Sequence, residues 1–445
     1  MTSTPTAQNP PGQNPTAQPS ASRMSGGSRE IRATGSSSRP LPFFPPDLFE
    51  QDRATMLDLV REIGTAPEQK FILGERTRQF EEVLRDSLGA ADVVACGSGT
   101  SALGLVLRAM GVDRGDEVVV PAFGCAPLAS AVLGLGATPV FGDVDPHRMV
   151  LDPDAAEELV TPRTKAVMPA HMFSVMADMP RFAELAERRG LRLLEDSAVA
   201  QGAELDGVPA GLWGEAGVYS FVQVKSFGMP GEGGAVVTRD AELGRRVRKL
   251  RNHGQSQRFV HDEVGVNSRF DEVQAAFQLH RFAGFADRLR RRAEIAEHYT
   301  RRFADLADRA DLPGGEVVAP PPGRDGRCYY VYCLQARDRD ELQAHLTDRG
   351  IGSHVYYPLP LPHQAAFAPH AQRDRSWPNA ERASQRILAL PIHPHLTDED
   401  VERVVGGVRS FAEHGAFAEH GTCAGNGTWA ESAAPRDHEQ EHSDR

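Results

Sequence analysis

Between residues 92 and 238 short apolar runs alternate with amphipathic stretches. Asp92 to Cys96 predicts a strand, followed by the small residues Gly97-Ser98-Gly99 and an apolar helical run from Thr100 to Met110. Glu117 to Pro121 predicts a strand, Ala126 to Gly134 a helix, and Pro139 to Phe141 a strand that ends at the acidic turn Asp143-Val144-Asp145. Ala166 to Met168 reads as a strand, Met179 to Arg189 as a helix, and Leu191 to Leu194 as a strand ending on Glu195-Asp196. Gly217 to Phe221 and Gly234 to Thr238 complete the series. Strands this short, separated by helices, predict an α/β fold with a large, mainly parallel mixed sheet covered on both faces.

A long amphipathic stretch, about Asp271 to Leu306, predicts one helix joining two domains. Beyond it come Tyr329 to Leu334, a helix around Arg339 to Arg349, Val355-Tyr356-Tyr357 and a final helix from about Asp398 to Glu413, a smaller C-terminal α+β domain. The expected division is a large domain over 41–300 and a small one over 301–413, with the loop Pro313 to Arg327 at the boundary. Residues 1–40 and 414–445 are polar and aperiodic and are expected to be disordered tails. Met24 is an alternative start, and the acceptor-like Asn426-Gly427-Thr428 falls in the second tail.

Composition narrows the function classes. A formal net charge of −12 over 445 residues argues against a nucleic-acid binder, which needs a basic face. No apolar run is long enough to span a membrane, and no secretory leader is recognisable. The cysteines, Cys96, Cys125, Cys328, Cys333 and Cys423, are scattered without metal-ligand spacing and read as reduced thiols of a cytoplasmic protein with no metal. Of the 49 basic residues only Lys70, Lys165, Lys225 and Lys249 are lysines, so chemistry that needs an amine has four candidates.

In open α/β sheets ligands bind beyond the carboxyl ends of the strands. Four segments put polar groups there. Gly97-Ser98-Gly99-Thr100 lets backbone N–H groups approach a phosphate at a helix N-terminus, or is only a tight connection. It is no P-loop, since no Gly-Lys-Ser/Thr follows. Asp196 either caps the next helix or presents a working carboxylate. Lys225, in SFVQVKSFGMPGEGG, is a solvated loop lysine or a working amine in a loop that glycines 228, 231, 233 and 234 force to turn tightly. Gly265-Val266-Asn267-Ser268-Arg269 is polar and stands ahead of the long helix. Together the four meet the needs of pyridoxal 5′-phosphate (PLP): a lysine to anchor it, a carboxylate against its pyridine nitrogen and a cradle for its phosphate.

Longer stretches carry a resemblance. They are GSGTSAL (97–103), GDEVVVPAF (115–123), TPRTKAVMPAHMF (161–173), LEDSAVAQGA (194–203), YSFVQVKSFGMPGEGGAVVT (219–238), LRNHG (250–254), GVNSRFDEVQAA (265–276), YYPLPLPHQ (356–364) and ALPIHPHLT (389–397). In this order and at these intervals the chain resembles the DegT-type sugar aminotransferases, fold-type-I PLP enzymes, from about Phe71 to Phe411. The resemblance implies that Lys225 anchors the cofactor and that Asp196 faces its pyridine nitrogen. It also implies that Ser220 and the backbone of Gly99 and Thr100 hold the phosphate. Asn267 matches a residue given by the neighbouring subunit, which implies a homodimer with shared active sites. Three departures stand out. Cys125 occupies the position of the family's ring-stacking aromatic. Val199 replaces the Gln or His near the phenolic oxygen, a loss for which Gln201 is expected to compensate. Val355-Tyr356-Tyr357-Pro358 replaces IHYP.

The resemblance further implies that glutamate or glutamine donates an amino group to a nucleotide-linked keto sugar in amino-sugar or secondary-metabolite biosynthesis. The spacing from Lys225 to the paired glycines, despite Glu232 in place of Asp, and HGQSQRFVH (253–261) favour a 3-keto-6-deoxyhexose. PAHMFSVMADMP (169–180) leans toward cyclitol or aminobenzoate-forming relatives. The alternatives are a cyclitol or 4-keto-sugar aminotransferase, or a noncatalytic regulatory member, whose sign would be loss of the lysine.

Overall fold

The computed structural model describes residues 39–45 and 49–415. The expected tails, apart from their innermost residues, the Met24 start and the Asn426 acceptor lie outside the described residues. The strands Asp92–Cys96 (β1), Glu117–Pro121 (β2), Thr138–Gly142 (β3), Thr164–Val167 (β4) and Arg192–Asp196 (β5) are followed by a small hairpin, Glu204–Leu205 (β6) and Val208–Pro209 (β7). Ala216–Ser220 (β8) and Gly234–Thr238 (β9) then complete a seven-stranded sheet of order β1-β9-β8-β5-β4-β2-β3. β8, β5, β4, β2 and β3 pair in parallel, and β9 runs antiparallel between β8 and β1. The sheet is therefore mainly parallel and mixed, as the sequence predicts. The carboxyl ends of β1, β2, β5 and β8 lie on one edge.

The pleat explains why these strands read as continuous apolar runs: both faces are covered. Val118, Val120, Leu194 and Val218 pack with Ala102, Leu103 and Val106 of the helix Gly99–Ala109. Val119, Val167 and Leu193 pack on the other face with Met179, Phe182 and Leu185 of the helix Met179–Arg189. Toward β1 the same face continues through Val93, Ala95 and Val237 to Phe80, Phe270 and Phe277.

The expected single helix over 271–306 is two helices, Glu272–Phe282 and Phe285–Phe303, interrupted at Ala283-Gly284. Glycine is a poor helix former, and the break lets each segment serve a different core. The first buries Ala275 and Phe277 against the large sheet; the second buries Ile295, Tyr299 and Phe303 against the C-terminal layer. The proposed boundary at 300/301 falls inside the second helix.

The hairpin Gln255–Gln257 (β10) and Val260–His261 (β11) precedes these helices. The C-terminal layer is a three-stranded antiparallel sheet of Val317–Val318 (β12), Tyr332–Ala336 (β13) and Ile387–Leu390 (β14). β13 starts three residues later than the sequence suggests, because the carbonyls of Tyr329 and Tyr330 accept from Arg292 and join no ladder. Val355-Tyr356-Tyr357 is coil and follows His354, which forms an isolated antiparallel bridge with Ala389. The strand β14 and the helices Arg53–Thr65, Glu75–Leu88, Ala241–Leu250 and Pro378–Arg386 are additions to the sequence-based picture. One face of the small sheet joins the large-sheet core through Val331, Cys333, Ile387 and Ala389. The other packs on the helices Phe285–Phe303 and Asp398–His414. No helix among the described residues is long and apolar enough to cross a membrane.

Candidate active site

The register of β9 builds the first wall of the site. Gly234 lies opposite Cys96 on one side and Ser220 on the other. A Cβ on Gly234 would lie 2.7 Å from the Gly99 nitrogen, and one on Gly99 would lie 2.9 Å from the Ser220 Cβ. These two glycines thus let the Gly97–Thr100 turn settle against Ser220. Ser98 is the N-cap of the following helix: its hydroxyl accepts from Ser101 N–H at 3.1 Å, and the Ser101 hydroxyl accepts from Ser98 N–H. The N–H groups of Gly99 and Thr100 open the helix and have no intrahelical acceptor. Ser268 braces the turn, its hydroxyl accepting from Gly97 N–H at 3.1 Å and lying 2.7 Å from the Ser101 hydroxyl. The small residues of this turn therefore expose free donors at a positive helix end.

Asp196 ends β5 and is buried. No helix follows it, so the cap alternative fails; residues 197–203 form turns. One carboxylate oxygen accepts from Ala198 N–H at 3.0 Å. Burial raises its proton affinity, while that N–H, Lys225 and His171 lower it. Its neighbour Glu195 points to the opposite face, where it accepts from the N–H groups of Gly211, Trp213 and Gly214 at 2.7–2.9 Å. Glu195 also faces His171 Nε2 at 2.9 Å, and His171 Nδ1 accepts from Ala177 N–H at 3.1 Å. With Nδ1 accepting, the proton sits on Nε2 and donates to Glu195. This buried pair, absent from the sequence reading, fixes the strand end that presents Asp196.

Lys225 sits in a tight turn, its N–H donating to the Val222 carbonyl and its own carbonyl accepting from Gly228 N–H. A Cβ on Gly228 would come within 2.5 Å of the Gln223 carbonyl, which is why glycine stands there. The Lys225 amine lies 4.4 Å over the Tyr330 ring. Desolvation lowers its pKa, offset in part by Cys125, Asp196 and Glu232. Lys225 and Asp196 are near enough to shift each other's proton affinity, and Cys125 feels both. The Cys125 thiol is pushed up to about 12 by burial and is therefore neutral. It offers a soft, uncharged contact.

Gln201, expected to compensate for Val199, is held between two carbonyls and a hydroxyl. Its amide donates to the Ser220 carbonyl at 2.8 Å and to the Ala198 carbonyl at 3.1 Å, and its oxygen faces the Ser226 hydroxyl at 3.4 Å. Both amide protons are engaged, so Gln201 ties the Asp196 turn, Ser220 and the Lys225 turn to one another. Val199 is buried. Asn267 is exposed, its side-chain oxygen accepting from Arg269 Nε at 2.9 Å, one residue from Ser268 at the back of the Gly97 turn. Tyr330 and Ser226 carried no sequence signal. Tyr330 arrives from the segment before β13, more than a hundred residues from Lys225.

An amine, a buried carboxylate and free N–H groups at a helix start fit PLP, whose ring and phosphate need such partners. The DegT/DnrJ/EryC1/StrS aminotransferase family matches residues 51–409. The chain belongs to this family. It is 41% identical over 344 residues to a UDP-N-acetyl-3-dehydro-α-D-glucosamine 3-aminotransferase of Acidithiobacillus ferrooxidans, covering 76% of this chain and 89% of that one. It is 37% identical over 373 residues to a pleiotropic regulatory protein of Geobacillus stearothermophilus, covering 83% and 98%. The crystal structure of NtdA from Bacillus subtilis with bound PMP superposes with a TM-score of 0.77 at 29% identity, covering 83% of this chain and 84% of that one. The aminotransferase is accordingly a PLP enzyme of fold type I. PLP supplies an electron-withdrawing ring; this chain's residues bind it, orient it and place protons.

Proposed function

We propose that this aminotransferase moves an amino group from glutamate or glutamine to a nucleotide-linked 3-keto-6-deoxyhexose, in amino-sugar or secondary-metabolite biosynthesis. In this reading Lys225 anchors the cofactor and carries protons, and Asp196 holds the proton at the pyridine nitrogen. The N–H groups of Gly99 and Thr100 with Ser220 take the phosphate, and Cys125 lies against the ring. Gln201 acts through Ser220 and Ser226. The observation that carries the reading is the desolvated Lys225 amine within electrostatic reach of buried Asp196. A noncatalytic role would be marked by loss of that lysine, which is present.

The 3-keto preference is supported by the loop spacing after Lys225 and by the name of the A. ferrooxidans relative. Two domains, a large one over 41–300 and a small one over 301–413, belong to the same reading. So does a homodimer in which Asn267 of one subunit completes the other's phosphate site. The loops around Asn267 expose Phe259, Val260, Val264 and Val266, and Phe71 is exposed as well, apolar surface suited to a second subunit. Cytoplasmic residence is supported by the four free cysteines among the described residues. The test is incubation with L-glutamate and a panel of 3-keto and 4-keto nucleotide sugars and inososes, with products identified by mass and NMR. A 3-amino nucleotide sugar is expected; amination confined to an inosose or a 4-keto sugar would replace this reading.

A further inference from the structure

Phe173 and Ser174 are both buried, and both have positive φ, 54° and 80°. Met172 and Val175 pair across them, the Val175 N–H donating to the Met172 carbonyl at 3.0 Å. Two central residues with positive φ make the pattern of a type I′ turn, which glycine, asparagine and aspartate dominate. Phenylalanine and serine are strained there, and such strain persists only where the surroundings over-determine it. Phe173 is fixed by its ring, stacked on Phe123 with centroids 4.9 Å apart. Ser174 is fixed by its hydroxyl, which donates to the Val331 carbonyl at 2.9 Å and accepts from the Cys333 N–H at 3.0 Å.

These bonds reach the segment that carries Tyr330. The Ser174 carbonyl accepts from the Cys328 N–H at 3.1 Å, and Val175 pairs with Arg327 in an antiparallel bridge. The turn therefore grips the chain at Cys328, Val331 and Cys333, on both sides of Tyr330. Between those grips the Tyr330 ring lies 4.4 Å from the Lys225 amine. Glycine at 174 would remove the backbone strain, because it takes positive φ freely. It would also leave the buried Val331 carbonyl and Cys333 N–H without this hydroxyl, a loss that buried polar groups bear badly. The hydroxyl is what serine contributes at a position whose backbone suits it poorly.

We propose that Ser174 is a positioning residue whose hydroxyl holds the Tyr330 ring against the Lys225 amine. The proposal deepens the transamination reading above and rests on its choice of Lys225 as the cofactor anchor. A cation over the face of a tyrosine is stabilised by the ring's quadrupole. The ring thus offsets part of the burial that favours the neutral amine. Asp196, Glu232 and the neutral Cys125 also face the amine, and Arg281, Arg288, Arg292 and His393 border its cleft. None of them is altered by a substitution at residue 174, so they cancel when a variant is compared with the wild type.

The experiment is capture of added PLP by the full-length, cofactor-free chain across a pH series, with the attachment site mapped after borohydride reduction. Tyr330→Leu should lower the capture midpoint by about 0.5–1.5 pH units, the weight of a cation–ring contact. Ser174→Gly and Ser174→Ala both remove the hydroxyl, so each should lower it by about 0.3 unit or more. Once Tyr330 is leucine, the same substitutions should move it by less than about 0.1 unit, because the two residues act as one. Thermal unfolding should separate the two variants, with Ser174→Gly the more stable, because only alanine keeps the strained backbone. A midpoint that stays at the wild-type value in both variants, with stability reduced, means that the hydroxyl only joins the two layers, and overturns the proposal. So does a shift that follows the loss of stability, larger in Ser174→Ala than in Ser174→Gly, or one that persists in the Tyr330→Leu background. A pyridoxyl group mapped to Lys70, Lys165 or Lys249 overturns the anchor reading and this proposal together, whereas capture at Lys225 with an unmoved midpoint removes the proposal alone.

Discussion

At the residue scale, Lys225 and Asp196 form the testable core of the site. Lys225→Ala should abolish turnover and the visible absorbance of the bound cofactor; borohydride reduction and peptide mapping should place the pyridoxyl group on Lys225, and finding it on Lys70, Lys165 or Lys249 would move the site. Asp196→Asn should lower kcat by several orders of magnitude. A loss below about tenfold, roughly 1.4 kcal/mol, would leave Asp196 only its bond to Ala198 N–H. The electrostatics add a pH dependence. Burial lowers the Lys225 pKa, so the neutral amine becomes available below the ordinary lysine range as pH rises. Capture of added PLP by the apoprotein should therefore reach its plateau below the usual lysine value. Asp196 raises the Lys225 pKa, so Asp196→Asn should move the midpoint lower still. A midpoint in the range of an exposed lysine would contradict the enclosed amine. Much of this was legible in sequence, because a strand end followed by a polar residue is a local pattern. Gln201 was legible only as a polar residue near the site. The direction of its amide depends on where Ser220 and Ser226 arrive, which the segment around Gln201 does not contain.

At the element scale, the β9 register does the positioning. Gly234→Ala would press a methyl against the Gly99 nitrogen, and Gly99→Ala would press one against Ser220. Each should cost about 1–3 kcal/mol in unfolding free energy, the range for overpacking a tight site, and should speed PLP release. An alanine variant that retained cofactor like the wild type would show that the turn can shift freely. The strands of the large sheet were readable because they are buried on both faces and bounded by glycine or acidic turns. The helix break at Ala283-Gly284 was not, since the amphipathic period runs through it and only the two separate cores reveal why it is needed. β14 was hidden for a related reason. A four-residue apolar run directly after a helix has no breaker, and periodicity alone cannot tell it from one more helical turn.

At the scale of the whole molecule, shared sites make a prediction that single variants cannot. If Asn267 reaches the partner's phosphate site, mixing Lys225→Ala with Asn267→Ala subunits gives a dimer with one doubly damaged site and one intact site. Activity should return on subunit exchange toward about half that of a wild-type dimer, since catalytic free energies apply per site. No recovery would return Asn267 to ordinary loop structure. The apolar cluster that runs from β2 through Val331 and Cys333 to Ala389 bears on how the chain comes apart. Neither sheet could face water alone without exposing that cluster. A chain cut after residue 300 should be insoluble, and heating the intact protein should melt both layers in one cooperative step, with calorimetric and van't Hoff enthalpies in agreement. Two resolved heat-absorption peaks would mean that the layers let go of each other first, and that tolerance to mutation should be judged layer by layer.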